Sequence, residues 1–313
     1  MAKSVQRVQL DNARKNKDDE FYTFFEDISA ELPLYKAQLN GKRILCPCDW
    51  DESYNEEIVY KEENHIIRTR LFSDNGTIKN IDIEQTKKKI EKDLNFIKCN
   101  FVKFLVSHAE DYGIKSISVS GYNPKTNKGI RFQDIDFTHY DLIITNPPFS
   151  QFREFITTMF KNKKEFLVIG PLTAIHYKDV IPFIKNNQLW LGYHNVKEFL
   201  KPDGSTMKMG NVLWYTTLDV SYRHDKMILT EDYQENEYQK YRGYDGLKPI
   251  NVTQVKKIPY NYSEEMAVPE TFLQKYNPEQ FEILSIWGGS ELFLESGKRT
   301  FSRIIIKNKN PQI

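Results

Sequence analysis

The residues of this chain best suited to chemistry are Asn146-Pro147-Pro148-Phe149, which directly follow the apolar run Leu142-Ile143-Ile144-Thr145. Two prolines in succession fix φ, remove two backbone donors and hold Asn146 out of the helical region. Such a loop offers acceptors: the Asn146 side-chain carbonyl and the backbone carbonyl of Pro147. A planar nitrogen such as an exocyclic amine needs acceptors of this kind. Its lone pair is delocalised, and two accepted hydrogen bonds favour a more tetrahedral, nucleophilic atom. Phe149 adds a flat apolar surface on which a ring can stack. The bland alternative is a strand-ending turn, since Asn and Pro both favour turns.

A second group of polar residues lies at the expected ends of other strands. Cys46-Pro47-Cys48-Asp49 follows the first apolar strand, where a glycine-rich turn would be usual, and Asp49 can accept from an ammonium or a backbone N–H. Ser120-Gly121 follows another strand, within reach of a ribose, while Asp134 and Asp136 are candidates for an adenine amine. Cys46-x-Cys48 has no second cysteine pair, and the six histidines form no ligand-spaced pair, so no metal is expected.

The elements that must position these residues read as strands alternating with helices. Apolar patterning predicts strands at 42–45, 115–119, 129–132, 141–144, 166–169, 188–193 and 212–218. It predicts a helix over 86–112, with Ile90, Leu94, Ile97, Phe101, Phe104 and Leu105 on one face and Gly113 ending it. Further helices are expected around Phe152 to Phe160 and over 176–186. The order implies an α/β fold, a parallel sheet with helices on both faces and an antiparallel edge hairpin between 188 and 218. Residues 51 to about 90 read as an insertion, and after 222 the pattern is irregular, rich in Tyr, Asn and Pro.

With 313 residues, 40% apolar and 28% charged, the chain has the composition of a globular protein with a sizeable core. Its net charge of +1 gives no support to nucleic-acid binding, but cations concentrate in residues 3–17 and 298–309. Such arms suit phosphate contact or simply solvent. Three cysteines make no disulfide framework, no apolar run reaches membrane-span length, and no signal peptide opens the chain; the cytoplasm is the simplest compartment.

Several segments together resemble the EcoRI-type adenine-specific DNA methyltransferases. They are Asp19 to Thr23, Cys46 to Asp49, Thr145 to Ser150, Gln188 to Gly192, Asn211 to Trp214, Val268 to Lys275, Asn277 to Glu282, and Arg303 to Lys309. The likeness spans nearly the whole chain, and its C-terminal blocks are more specific than the four-residue loop. It implies a Rossmann-like doubly wound methyltransferase sheet, S-adenosylmethionine as donor with S-adenosylhomocysteine as product, and double-stranded DNA as substrate. Residues 1–221 would bind the donor and catalyse, and 222–313 would recognise DNA. Phe21, Tyr22 and Thr23 would line the methionine end of the donor pocket, with Cys46, Asp49, Ser120, Asp134, Asp136 and Asn146. Asn146 to Phe149 would hold a flipped adenine. Residues 51–90 and the short loop 195–210 depart from the family pattern, so the recognition sequence does not carry over. The same chemistry also suits RNA adenine or a protein glutamine amide, and a catalytically inactive DNA-binding protein is the reading from another class. Flipping one base needs only a monomer.

Overall fold

The computed structural model describes residues 22–49, 58–62, 65–69, 72–75, 78–93, 97–123, 128–201, 204–244, 246–288 and 292–312. Its chain divides into two compact units, one made of Met1–Leu172 with Gly192–Leu218, the other of Thr173–Leu191 with Asp219–Ile313.

In chain order the first thirteen strands are β1 (Tyr22–Thr23), β2 (Arg43–Cys46), β3 (Ile58–Glu62), β4 (His65–Thr69), β5 (Phe72–Asn75), β6 (Ile78–Ile81), β7 (Ser116–Val119), β8 (Tyr122–Asn123), β9 (Lys128–Gly129), β10 (Leu142–Thr145), β11 (Glu165–Pro171), β12 (Trp190–Leu200) and β13 (Thr206–Thr216). Nine of them form one mixed sheet in the order β1-β12-β13-β11-β10-β2-β7-β6-β5. At its centre β11, β10, β2 and β7 are parallel neighbours. Every residue of β10 is buried, as are six of the seven in β11, so these runs are apolar without alternation. The chain passes from β2 to β7 on one side, then returns to β10 and β11 on the other. Strand order therefore reverses between β2 and β10.

The helices are α1 (Phe25–Glu31), α2 (Lys36–Leu39), α3 (Ile83–Lys92), α4 (Asn100–His108), α5 (Phe152–Lys161) and α6 (Ile181–Lys185). The single helix expected over 86–112 is two helices. Asp82 caps α3 by accepting from the Gln85 N–H, and Asp93 ends it in an extended conformation. Cys99, also extended, opens α4. Apolar spacing cannot register such a break, because both pieces bury one face. Gly113, at φ +62°, does turn the chain after α4, its N–H donating to the Glu110 carbonyl.

Other expectations shift in extent. The helix of 176–186 is only α6, preceded by a 3-10 turn over Leu172–His176. The strand at 129–132 is the two-residue β9, paired with β8, and Phe132 lies in a 3-10 turn. The hairpin strands β12 and β13 are eleven residues each. Neighbours joined by only the five residues between them run antiparallel, since a parallel crossover needs a dozen or more. β1 covers β12 and is itself the sheet edge. Within the segment read as an insertion, β3 pairs with β4, and β5 and β6 extend the main sheet beyond β7.

A fully buried carboxylate fixes α1 to β12. Glu31 accepts from Tyr35 Oη, the backbone N–H groups of Tyr193 and His194, and His194 Nδ1, all at 2.8–2.9 Å. A Cβ at Gly192 would stand 2.2 Å from Glu31 Oε1, so only glycine admits the carboxylate there.

In the second unit, β14 (Ile250–Asn251), β15 (Met266–Val268), β16 (Phe281–Trp287) and β17 (Arg303–Asn308) make a sheet ordered β14-β15-β17-β16. The segment read as irregular thus contains a sheet of its own. Tyr241, Ala267, Trp287, Leu292, Leu294 and Ile305 form a buried cluster on it.

Candidate active site

Open α/β sheets bind ligands beyond the carboxyl ends of their strands, where strand order reverses. In this chain that point lies after β2 and β10, and one side chain ties the two strand ends together. Asp49, three residues past β2, accepts from Thr145 Oγ1 at 2.5 Å, and Thr145 is the last residue of β10. Its other carboxylate oxygen accepts from Cys99 Sγ at 3.2 Å, so α4 begins at the same place. The Asp49 N–H donates to the Ser120 carbonyl, and the Ser120 N–H to the Cys46 carbonyl. Ser120 Oγ, fully buried, donates to the Pro47 carbonyl at 3.4 Å. The loops after β2 and β7 are thereby laced together.

Burial pushes the half-buried Asp49 carboxyl up to about 6, against the pull of the Thr145 and Cys99 hydrogen bonds. Burial also raises the thiols of Cys46, Cys48 and Cys99, with negative Asp49 adding to it. All three stay protonated, so they are packing groups and weak donors rather than nucleophiles. The described residues contain no group of three or more His, Cys, Asp or Glu able to hold a metal.

Asn146 follows Thr145 directly, so the Asn146 loop starts one residue from the Asp49 clasp. Pro147 is buried and Pro148 half-buried. Phe149 opens a 3-10 turn ahead of α5. Its ring, expected as a flat surface on which a base can stack, is 2% exposed and meets Phe199 of β12 edge-on, centroids 5.8 Å apart.

Thr23 pairs with that same Phe199 across the β1–β12 ladder, as Tyr22 does with Leu200. The Thr23 carbonyl accepts from Asn100 Nδ2 at 2.8 Å, next to Cys99. Thr23 Oγ1 is buried without a hydrogen-bond partner among the described residues. Phe21 lies outside the described residues.

The two aspartates before β10 separate. Asp136 caps a turn, accepting from the Thr138 N–H and Oγ1, and its carboxyl is held below the usual range by those bonds, with nearby His139 and Lys164 lowering it further. Lys164 immediately precedes β11, so Asp136 faces the amino ends of the parallel strands, away from the clasp. Asp134 lies beside Gln133, whose Nε2 donates to Gln151 in the turn after Phe149.

The structure thus brings Thr23, Cys46, Asp49, Ser120 and Asn146 to Phe149 to one end of the sheet, and Asp136 does not join them. Thr145, Cys99, Asn100 and Phe199 were not singled out from sequence. The only signal for Cys99-Asn100 was a polar pair at the start of an otherwise apolar run.

The model of the EcoRI adenine-specific methyltransferase family matches residues 9–311. Type II methyltransferase M.EcoRI of Escherichia coli is 32% identical over the full length of both chains. Type II methyltransferase M.MpnI of Mycoplasma pneumoniae is 28% identical, covering 96% of this chain and 98% of its own. M.MgeORF184P of Mycoplasma genitalium, also a Type II methyltransferase, is 26% identical with the same coverage. No solved structure matches significantly. A family match over nearly the whole chain, on a sheet whose reversal point carries the Asn146 loop, leads to one identification: the chain belongs to the EcoRI adenine-specific methyltransferase family.

Proposed function

We propose that this protein methylates the N6 amine of an adenine flipped out of duplex DNA, using S-adenosylmethionine on a Rossmann-like methyltransferase sheet. The observation that carries the reading is the junction of Asp49, Thr145 and Asn146, which sets a half-buried carboxylate and the amine-holding loop side by side at the strand reversal. That donor set fits the donor molecule. A carboxylate suits its α-ammonium, and the unpartnered Thr23 Oγ1 is a buried polar atom with capacity for one more bond. Asp49 and Thr23 would hold the methionine end, with Tyr22, Cys46 and Ser120 framing it and Asp134 available to the adenine end. When bound, S-adenosylmethionine supplies an electrophilic sulfonium methyl and leaves as S-adenosylhomocysteine.

Asn146 Oδ1 and the Pro147 carbonyl accept the two N6 hydrogens, holding the amine where its lone pair can reach the methyl carbon. The extra proton of the product amine is lost to water. Orientation of two bound reactants supplies much of the acceleration, about 7–11 kcal/mol in favourable intramolecular cases. Phe149 becomes the stacking face once its ring parts from Phe199, and such stacking contributes about 1–3 kcal/mol towards the cost of unstacking the base. Residues 1–221 carry these tasks, and 222–313 recognise DNA. The protein acts as a monomer in the cytoplasm.

Asn146→Ala tests the assignment. Methyl transfer to unmethylated bacterial DNA should fall by orders of magnitude, while donor binding measured by calorimetry persists. Near-normal turnover in that variant would refute it.

A further inference from the structure

The basic C-terminal stretch is divided by the fold. Arg303 donates to the Ser302 carbonyl and reaches Asn251, and Lys309 Nζ donates to the Pro278 carbonyl at 2.7 Å. Those cations serve the protein itself. Lys298 and Arg299 do not; both are exposed and have no carboxylate partner among the described residues.

They sit on a tight hairpin turn. The Leu294 N–H donates to the Lys298 carbonyl, Phe293 lies opposite Arg299, and Gly297 takes φ +83° at the tip. A second turn stands beside it, closed by reciprocal bonds between Tyr244 and Leu247, with Gly243 at φ +107° and Gly246 at φ +78°. This turn carries exposed Arg242 and Lys248, which also have no carboxylate partner among the described residues. The two turns are joined. The Arg242 N–H donates to the Phe293 carbonyl at 3.1 Å, its guanidinium lies 5.9 Å over the Phe293 ring, and Tyr241 bridges to Leu294. Beneath them Tyr241, Leu292 and Leu294 are anchored in the Trp287 cluster, and Tyr244 meets Trp287 edge-on at 5.6 Å.

The result is a braced platform with four exposed cations, none paired with a carboxylate among the described residues, around two exposed aromatic rings. By sequence only Glu295 and Asp245 oppose them within these turns, and Phe301, two residues beyond Arg299, is 82% exposed. Clustered like charges repel and exposed aromatics are unfavourable in water, so a polyanion with planar, apolar groups between its charges is the complementary occupant.

We propose that the paired turns bearing Arg242, Tyr244, Lys248, Phe293, Lys298 and Arg299 are a duplex-DNA contact surface, the cations gripping phosphates and the two rings meeting the groove. This rests on the reading of DNA as substrate. Arg242 is pre-set by Phe293, so it loses less freedom on contact than an unsupported side chain.

The test uses the full chain and a labelled mixed-sequence DNA duplex, titrated by fluorescence anisotropy from about 0.05 to 0.2 M salt. Two variants are compared, Lys298→Ala with Arg299→Ala, and Arg242→Ala with Lys248→Ala. Each phosphate contact removed should reduce the log–log salt slope by about 0.9 and weaken binding about eightfold at 0.1 M salt, or about 60-fold for each pair. The KM for DNA should rise, with kcat and donor affinity unchanged. A control pair, Lys178→Ala with Lys185→Ala, should keep the wild-type slope.

Variants with wild-type slope and affinity would overturn the surface, as would a control that falls equally. Wild-type protein that neither binds nor methylates DNA would overturn the functional reading instead.

Discussion

In the proposed site, the raised pKa of Asp49 makes donor binding pH-dependent in a direction that geometry fixes. The carboxyl titrates at about 6 because it is buried, with Thr145 and Cys99 only partly compensating. An ammonium is attracted to the ionised form alone. Affinity should therefore be nearly full by about pH 7.5 and fall as the carboxyl takes a proton, by about tenfold at pH 5 relative to pH 7.5 and about 100-fold at pH 4. It should fall again above about pH 8, where a free α-amino group loses its proton. The assay is calorimetric titration of S-adenosylmethionine at half-unit pH steps, with circular dichroism confirming the fold at each. Asp49→Asn should bind about 10- to 100-fold more weakly at pH 7.5, the equivalent of one charged hydrogen bond, and lose the acid limb. The same shift acts on stability with the opposite sense. The folded chain retains a proton that the unfolded chain releases between about pH 4 and 6, so stability falls as pH rises through that window, by about 1 kcal/mol relative to Asp49→Asn from pH 5 to 7.5. A wild-type affinity that is flat from pH 5 to 7.5 would refute the pairing of Asp49 with the ammonium.

Two further predictions concern the frame. Glu31→Ala removes the fully buried acceptor shared by the Tyr35, Tyr193 and His194 donors and should cost about 3–5 kcal/mol in urea unfolding, while Asp27→Ala, on the same helix but hydrogen-bonded to none of them, should cost far less. Asp141 takes a bidentate grip from Arg43 and a bond from its backbone N–H, which hold its carboxyl well below the usual range. Its stabilisation is present above about pH 4 and is lost as pH falls further. The melting temperature of Asp141→Ala should thus lie below wild type at pH 7 and converge with it in acid.

The sheet centre was legible because its strands are buried on both faces. β2, β10 and β11 read as short apolar runs, and the Asn146 loop follows directly from one of them. What lay beyond reading depends on distant partners. Glu31 reads as an ordinary surface acid of a helix, since its acceptors' counterparts are 162 and 163 residues away. The ends of β12 and β13 carry exposed Lys197, Asn195 and Lys208, whose polarity hid how far the strands extend. In the second unit the β16–β17 ladder shifts register between Ile283 and Ser285, which breaks the alternation that marks a strand. Asp134 and Asp136 are chemically alike and two residues apart; only the cations and amides around each one separate them.

The break before Cys99 was equally invisible, and it bears on the chemistry. Cys99, extended and buried, opens α4, and its thiol donates to Asp49. In the proposed site Thr145 and Cys99 are therefore positioning residues, acting through the carboxylate they bond. Thr145→Val keeps the side-chain shape in a fully buried site and deletes the nearer, stronger donor. The carboxylate then loses its main stabilising bond while its burial is unchanged, so it titrates at a higher pH. The acid limb of donor binding should move toward neutrality in Thr145→Val, and by less in Cys99→Ala, because a thiol is the weaker donor and its hydrogen bond is the smaller of the two. At pH 7.5 and above, all three proteins should converge on similar affinity. A purely structural role would lower affinity at every pH by one factor and leave the midpoint in place. A midpoint that stayed fixed or moved to lower pH in Thr145→Val would therefore show that Asp49 is not the group whose ionisation governs binding.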